Sequence, residues 1–547
     1  MARATTPPID PLAGPTMILE GRIVTMTTPN QVIDPGRLYI KGGTLVRVQP
    51  AAAPAPEGFA GVAVTDTQGT IYPGLIELHN HLAYNALRLW QVPRTYENRD
   101  QWAGIPEYRK RVSGPMTIVG KTPDLLPAVI RYVEAKCLVA GVTTSQGVAL
   151  FSNSGVRRFY RGVVRNVEQT DEAALPEAAT RIADVDAKTP QQFLERLKRQ
   201  SCFLLHLAEG TNAAARKHFQ ALQISETSWA IRPELAGIHA AALTAADMQI
   251  YGSRGGAMIW SPLSNLLLYG DTADVATAKD HGVRIGIGSD WSPSGSKNLL
   301  GELKVAKIFS EAKGSIFSSE EIVAMATRTG AQILKWDAVL GSLEDGKRAD
   351  LVVVAGTTGN PFDHLIEAKE SGVSLVVING VPRFGTATLF TALGVTGAET
   401  VKIGSATRKL FLKQDTQDPQ VGKISLSDAT GQLSDALAKL PTLARDLEKP
   451  KSAAAVARAS ARGPVWQLAL DELQDTGSAL RARMQLGRAH VGARALAGAG
   501  SKPLSQIVEA LILDPLTVAG DEDFIPGVAS QKNLPAWLKS GLAALLG

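Results

Sequence analysis

Four of the eight histidines in this chain, together with one aspartate, recur in a single kind of context. His79 and His81 stand in GLIELHNHL, His206 in FLLHLAEG, His239 in LAGIHAAAL and Asp290 in VRIGIGSDW. Each follows a short apolar, strand-like run. A parallel barrel delivers ligands from just such places, the C-terminal ends of successive strands. Residues i and i+2 of a strand share a face, so His79 and His81, separated by Asn80, can grip one ion. An isolated His-x-His pair reads equally well as two polar strand-end residues satisfied by backbone. The ordered set is what singles this pair out. Imidazole and carboxylate donors together suit zinc, with iron, manganese and nickel as alternatives. A bound divalent cation would lower the pKa of a water in its open position toward neutrality.

Three further residues bear on the chemistry. Glu209 lies three residues beyond His206, where the strand turns toward a helix, so both can face one cavity. To donate a proton there its carboxyl needs a raised pKa, which partial burial supplies. The plain alternative is a solvated glutamate at a helix start. His239 is either a fourth protein ligand or a group that hydrogen-bonds the attacking water and polarises the substrate. Asp290 could also be a helix cap before SPSG, which would not explain its place in the ordered set. The other histidines, His218, His281, His364 and His490, read as surface or loop residues.

With these residues in place, the chain resembles the metal-dependent amidohydrolase superfamily. More narrowly it resembles the branch of cytosine, guanine and adenosine-type deaminases and triazine chlorohydrolases. The likeness runs from about Met17 to about Leu389. It is carried by YPGLIELHNH, GVTTSQG, HLAE, SPLSN, GSD and GSLEDGKRADLVVV. It implies a (β/α)8 barrel with a small β-sandwich built from both flanks, and hydrolysis of C–N, sometimes C–Cl, bonds of small molecules. It implies one divalent metal held by His79, His81, His206 and Asp290. Asp290 would also take the attacking water's proton, Glu209 would protonate the leaving group, and His239 would be the hydrogen-bonding group rather than a ligand. Dinuclear members use a carboxylated lysine late in the fourth strand; Lys188 lies near that point but reads as a solvated residue beside Pro190. A departure stands at Trp260. Many members of the branch carry a histidine just before the Pro-x-Ser-Asn segment, whereas an indole can only stack and donate one hydrogen bond. This points away from a standard purine or pyrimidine and toward an amide, a cyclic amide or an aromatic amine. A non-catalytic relative, kept as a binding or assembly protein, is the competing reading; loss of ligands would mark it.

The elements that must position these residues follow from the pattern. Residues 17–66 and 341–389 read as strands, including a Gly-Gly turn in RLYIKGGTLVRVQP, and form a composite β-sandwich domain. Residues 67–340 alternate strands and helices as a parallel α/β unit does, with strands GLIEL, GVTTSQ, RGVVRNVE, RIADVDA, CFLLHLA, LAGIHA, GAMIWS and VRIGIGS. Residues 428–547 read as a helical extension. There Trp466, Leu470, Leu473, Leu480 and Met484 form a helical stripe after Pro464, packed on the chain's own barrel or on a second subunit. The Arg- and aromatic-rich run from Asn85 to Val112 reads either as a loop from which Arg88, Arg94 or Tyr96 could meet a substrate or as a surface cover that closes the barrel mouth.

Composition narrows the partners. A chain of 547 residues with 45% apolar residues can bury a large core. A net charge of only +5, without a dense basic stripe, argues for a small-molecule substrate and against nucleic acid. No apolar run approaches a membrane span, and no signal-peptide core is evident. Two cysteines, Cys137 and Cys202, fit reduced thiols in a cytoplasmic protein. A homo-oligomer is compatible with all of this.

Overall fold

The structure, a computed structural model, describes residues 14–152, 156–181, 187–414, 421–449, 465–470 and 502–547. Short, wholly buried strands and flanking helices make up its centre. The strand Cys202–Leu207 is buried at every position. Continuous burial is what a parallel strand covered on both faces requires, and it explains the unbroken apolar run CFLLHL. Five parallel strands, Ala178–Arg181, Cys202–Leu207, Leu235–His239, Ala257–Trp260 and Arg284–Ile287, pair in chain order. Leu75–Glu77, Val142–Ser145 and Arg165–Asn166 form a second parallel sheet. Backbone hydrogen bonds join the edges of the two: Ala178 N–H donates to Val167 O (2.8 Å), and Asp290 N–H to His79 O (3.0 Å).

Each of the eight expected strands meets an observed one, though RGVVRNVE is a strand only at Arg165–Asn166. The fourth observed strand, Ala178–Arg181, starts three residues before RIADVDA and shares Arg181 with it; residues 182–186 lie outside the described residues. Ala178 and Ala179 take the register opposite Cys202 and Phe203, so pairing begins directly after Pro176-Glu177.

Strands from both flanks share one nine-stranded sheet. At its middle Val64–Pro73 runs parallel to Met17–Val24 and antiparallel to Leu351–Ala355, with Tyr72 opposite Val352. Gly42 and Gly43, both at positive φ (58° and 82°), turn Val32–Lys41 into Thr44–Pro50. Two successive residues at positive φ suit a tight hairpin, which glycine allows without strain. The sheet also takes in Glu399–Ile403 and Ala406–Leu410, past the flank expected from sequence.

The C-terminal segments lie on the central unit. Leu426–Ala438 packs on Leu126–Val139, and Ala536–Leu546 on Leu299–Ala312, where Phe309 and Trp537 meet edge to face at 6.1 Å. The helical stripe expected from Trp466 is corrected at its start. Trp466–Leu468 is a strand, antiparallel to Ala149–Ser152. Pairing to a sheet edge overrides helical spacing there, and Pro464, Leu473, Leu480 and Met484 lie outside the described residues. Among the described residues no helix is long and apolar enough to cross a membrane. Cys137 and Cys202 are buried free thiols.

Candidate metal centre

The strand ends bring the four histidines and Asp290 together. The donor atoms of His79, His81 and His206 lie within 4.8 Å of one another, as do those of His79, His239 and Asp290, and those of His206, Glu209 and His239. His79, His206, His239, Glu209 and Asp290 are buried; His81 keeps a little exposure. Close approach is built into the backbone. A Cβ on Gly288 would sit 2.6 Å from the Cβ of His79, so only glycine lets this strand run so near the His-x-His pair. Both His239 (φ 68°) and Asp290 (φ 65°) are held in the left-handed region, which L-residues rarely adopt. Such backbone costs of order 1–3 kcal/mol per residue and clusters where a site needs a fixed side-chain direction.

The pairing of His79 tests whether a cation fits. Gln146 Oε1 accepts from Asn80 N–H (3.0 Å), which fixes its amide with oxygen inward. That oxygen also lies 3.0 Å from His79 Nδ1. An amide oxygen can only accept, so Nδ1 carries the proton and Nε2 presents its lone pair. Nε2 makes no hydrogen bond and lies 2.9 Å from Asp290 Oδ1, itself an electron-pair donor. Two buried donors of electron pairs face each other at a distance that only a proton or a metal cation reconciles. Asp290 Oδ1 is also 3.4 Å from His81 Nε2. Burial alone would raise the Asp290 carboxyl; the imidazoles of His79, His239 and His81 outweigh it and hold the group well below the usual range. Burial, then the neighbouring imidazoles, push His206 far down, which favours the neutral ring whose one free nitrogen lone pair suits a divalent metal. Burial likewise pushes His239 down to about 4, against the pull of Glu209 and Asp290.

Glu209 corrects an expectation. Its pKa is lowered, not raised. Burial pushes it up, but His239 and Arg99 pull harder in the other direction. Arg99 Nη1 lies 3.4 Å from Oε2, and Tyr269 donates its hydroxyl to Oε1 at 2.7 Å. Tyr269 in turn accepts from Trp102 Nε1 (3.0 Å). Glu209 is therefore ionised and starts as an acceptor of protons. Arg99 and Trp102 both come from the Arg-rich loop, but the residues expected from it do other work. Arg88 pairs with Asp523, and the Arg94 guanidinium lies 4.9 Å over the Tyr96 ring. Lys188 is exposed and its backbone N–H is held by Gln192 (2.9 Å), away from any carboxylated-lysine role.

Several participants had not been singled out from sequence. Glu77, two residues before His79 on the same strand face, accepts from Ser289 N–H (2.8 Å) and Oγ–H (2.9 Å), and so holds the residue preceding Asp290. Burial pushes its carboxyl up to about 8. Asn265 pairs through Nδ2 with His239 Nδ1 (3.0 Å). A cavity beside the centre is lined by Asn80, His81, Gln146, Phe159, Glu168 and Leu470. Glu168, buried and pushed up to about 7, accepts there from Gly147 N–H (2.8 Å) and Thr180 (2.9 Å). Alternation along GLIELHNH could have pointed to Glu77; Glu168 had no such signal.

This geometry is that of a candidate metal centre, and comparison with known proteins gives the chain a family. The Amidohydrolase family profile matches residues 70–383, more than half of the chain, and the chain belongs to that family. Its fold is accordingly of the TIM-barrel type with mixed α/β content, and its site takes a divalent metal. It is a hydrolase of carbon–nitrogen bonds other than peptide bonds. The 5-methylthioadenosine/S-adenosylhomocysteine deaminase of Syntrophobacter fumaroxidans is 25% identical over 410 residues, covering 66% of this chain and 91% of that protein. The S-triazine hydrolase of Gordonia rubripertincta is 28% identical over 160 residues, 28% of this chain and 34% of that protein. In fold, the chain resembles the zinc-complexed atrazine chlorohydrolase of Arthrobacter aurescens, with a TM-score of 0.51 and 19% identity over 67% of this chain and 94% of that one.

Proposed function

We propose that this hydrolase cleaves a non-peptide C–N bond of a small molecule, an amide, cyclic amide or aromatic amine, at a mononuclear zinc centre. His79, His81, His206 and Asp290 would hold the metal, with Glu209 and His239 handling protons beside it. The observation that carries this reading is the buried apposition of His79 Nε2 and Asp290 Oδ1 at 2.9 Å, with His81 and His206 alongside. When bound, a divalent cation supplies an acidified water and polarises the bond under attack. The remaining work falls to the chain. Asp290, kept ionised by its imidazole neighbours, accepts the water's proton. Glu209, kept ionised by His239 and Arg99, would take the other proton of the water and pass it to the departing nitrogen. His239 steadies the water or the substrate carbonyl. Leu82, Ala83 and Tyr84, and Leu470 just past the strand Trp466–Leu468, line the cavity that would receive the substrate.

The same reading extends to architecture. The two parallel sheets, linked at Val167–Ala178 and His79–Asp290, support a single (β/α)8 barrel over residues 67–340. The nine-stranded sheet supports a composite sandwich from 17–66 and 341–389, and residues 428–547 form the extension.

Elemental analysis tests the centre. Wild-type protein should carry about one zinc per chain, and His79→Ala and Asp290→Ala should lose most of it. Full occupancy in both variants would refute the ligand set. A screen of amines, lactams and acyl amides with the zinc-loaded protein would then separate deamination from amide hydrolysis. No turnover on any of them would favour a binding or assembly role.

A further inference from the structure

Trp260 occupies the place where the resembling branch carries a histidine, and it does not face the cavity. Its side chain is fully buried, edge-on to Phe309 at 5.3 Å. Its one polar atom begins a chain of hydrogen bonds. Trp260 Nε1 lies 2.9 Å from Thr272 Oγ1. Thr272 Oγ1 lies 3.2 Å from Asn265 Oδ1. Asn265 Nδ2 lies 3.0 Å from His239 Nδ1. The fold makes this path short. Asn265 sits in the helix Pro262–Tyr269, which follows Trp260 directly and ends at Gly270, whose positive φ of 72° turns the chain so that Thr272 returns over the indole.

Every link has a fixed direction because of what stands at its start. An indole N–H can donate and never accept. Thr272 Oγ1 therefore accepts from Trp260, and its single hydrogen is available for Asn265. Among the described contacts Asn265 offers the only acceptor for that hydrogen, so a satisfied buried hydroxyl places the amide oxygen, not the NH2 group, on the Thr272 side. The NH2 group is then turned toward His239, and it can only donate. His239 Nδ1 must be the acceptor, so a neutral imidazole carries its proton on Nε2. Nε2 is the nitrogen that faces the site, 3.9 Å from Glu209 Oε1. A histidine at position 260 could donate or accept according to its own tautomer, and would leave the direction of the chain open.

We propose that Trp260 is a positioning residue that fixes His239 as the Nε2–H tautomer, through Thr272 and Asn265. His239 then offers the site a hydrogen-bond donor and cannot ligate metal through Nε2. The inference deepens the proposed role of His239. Its test needs no turnover, so its failure is distinguishable from failure of the hydrolase reading.

The experiment is multiple-bond proton–nitrogen correlation NMR on zinc-loaded protein labelled with 15N-histidine, with His239 assigned by the signal lost in His239→Gln. Wild type should show one tautomer at His239, protonated on Nε2. Thr272→Val and Trp260→Phe should both add an Nδ1–H population, since neither preserves the directed chain. Thr272→Ser keeps the hydroxyl and should retain the wild-type pattern, which a purely packing role for Thr272 would not require. Asn265→Asp places an acceptor against Nδ1 and should invert the tautomer. If Trp260→Phe fails to fold, the Thr272 and Asn265 variants decide the matter. An Nδ1–H tautomer or a metal-shifted Nε2 in wild type overturns the proposal. So does an unchanged Nε2–H tautomer in Thr272→Val together with Asn265→Asp.

Discussion

Asp514 belongs to the C-terminal extension, yet it is buried and bound by two buried lysines. Lys136 donates to its Oδ2, and Lys297 to its Oδ1 at 2.6 Å. Lys297 has a second carboxylate, Asp521, at 2.8 Å; Lys136 has only the neutral oxygens of Asn85 (2.9 Å) and Ser292 (3.0 Å) besides. Asp514→Ala should therefore strand Lys136. Breaking a buried pair by removing one partner typically costs about 3–5 kcal/mol. Deprotonation limits the damage. Burial already lowers Lys136 from 10.5 to about 8 in the wild type, so the proton given up is one that the fold holds by about one pH unit at pH 7, ~1.4 kcal/mol, and no longer holds at pH 9. The sign is consistent: a stranded Lys136 binds fewer protons folded than unfolded, so stability of the variant rises with pH in this window. Urea unfolding followed by tryptophan fluorescence should thus show a loss at pH 7, at most about 3–5 kcal/mol, that narrows at pH 9. Asp514→Ala with Lys136→Met should recover at least about 1 kcal/mol, because the uncompensated charge is gone. A loss below about 1 kcal/mol at pH 7, or a gap that widens at pH 9, would refute the reasoning.

Other outcomes follow from the site. Gln146→Leu removes the oxygen that orients His79, and zinc affinity measured by chelator competition should fall by about 10–100-fold. Glu209→Gln should keep zinc and fold but lose on the order of a hundred- to ten-thousand-fold in turnover on a substrate with a poor leaving group. Near-wild-type turnover there would remove Glu209 from the mechanism. Glu302 is buried and its carboxyl is pushed up from 4.5 to about 8. The fold keeps a proton that the unfolded chain releases between those values, so stability should fall as pH rises through that window. Thermal melts of Glu302→Gln should show a flatter slope over the same range, and an unchanged slope would show that Glu302 titrates normally.

What the sequence made legible was whatever strand periodicity and local order carry. The His-x-His pair, His206, His239 and Asp290 each sit where an apolar run ends, and these strand ends meet in space. The supporting residues act across distances that periodicity does not record. Gln146 orients His79 from 67 positions away, and Arg99 reaches Glu209 from 110. That is why the electrostatics of Glu209 came out reversed: burial was foreseeable from HLAE, but the groups opposing it, His239 and then Arg99, come from another strand end and from a loop. One local pattern was overridden by pairing. Trp466 has helical spacing with Leu470, yet the edge at Ala149–Ser152 takes it into a strand. The strand that pairs with Cys202–Leu207 begins at Ala178, ahead of RIADVDA, and residues 182–186 of that run lie outside the described residues.

The extension, opaque as sequence, acquires a physical role from its partners. Lys136 lies on the helix Leu126–Val139, and its ammonium holds Asn85 O and Ser292 Oγ as well as Asp514. Asn85 donates to Asn80 Oδ1 (2.9 Å), and Asn80 donates to Ser289 Oγ (3.1 Å). Asn80 separates the two histidines of the pair, and Ser289 precedes Asp290. A buried ammonium in this place would be costly without a carboxylate, and no barrel residue supplies one to it among the described contacts. Asp514 does, from the last part of the chain. The polar scaffold behind His79, His81 and Asp290 is thus electrically complete only when the extension is docked. Leu470, also in the extension, lines the cavity itself. The geometry of the centre and the shape of its pocket therefore both depend on residues beyond the segment that the family shares.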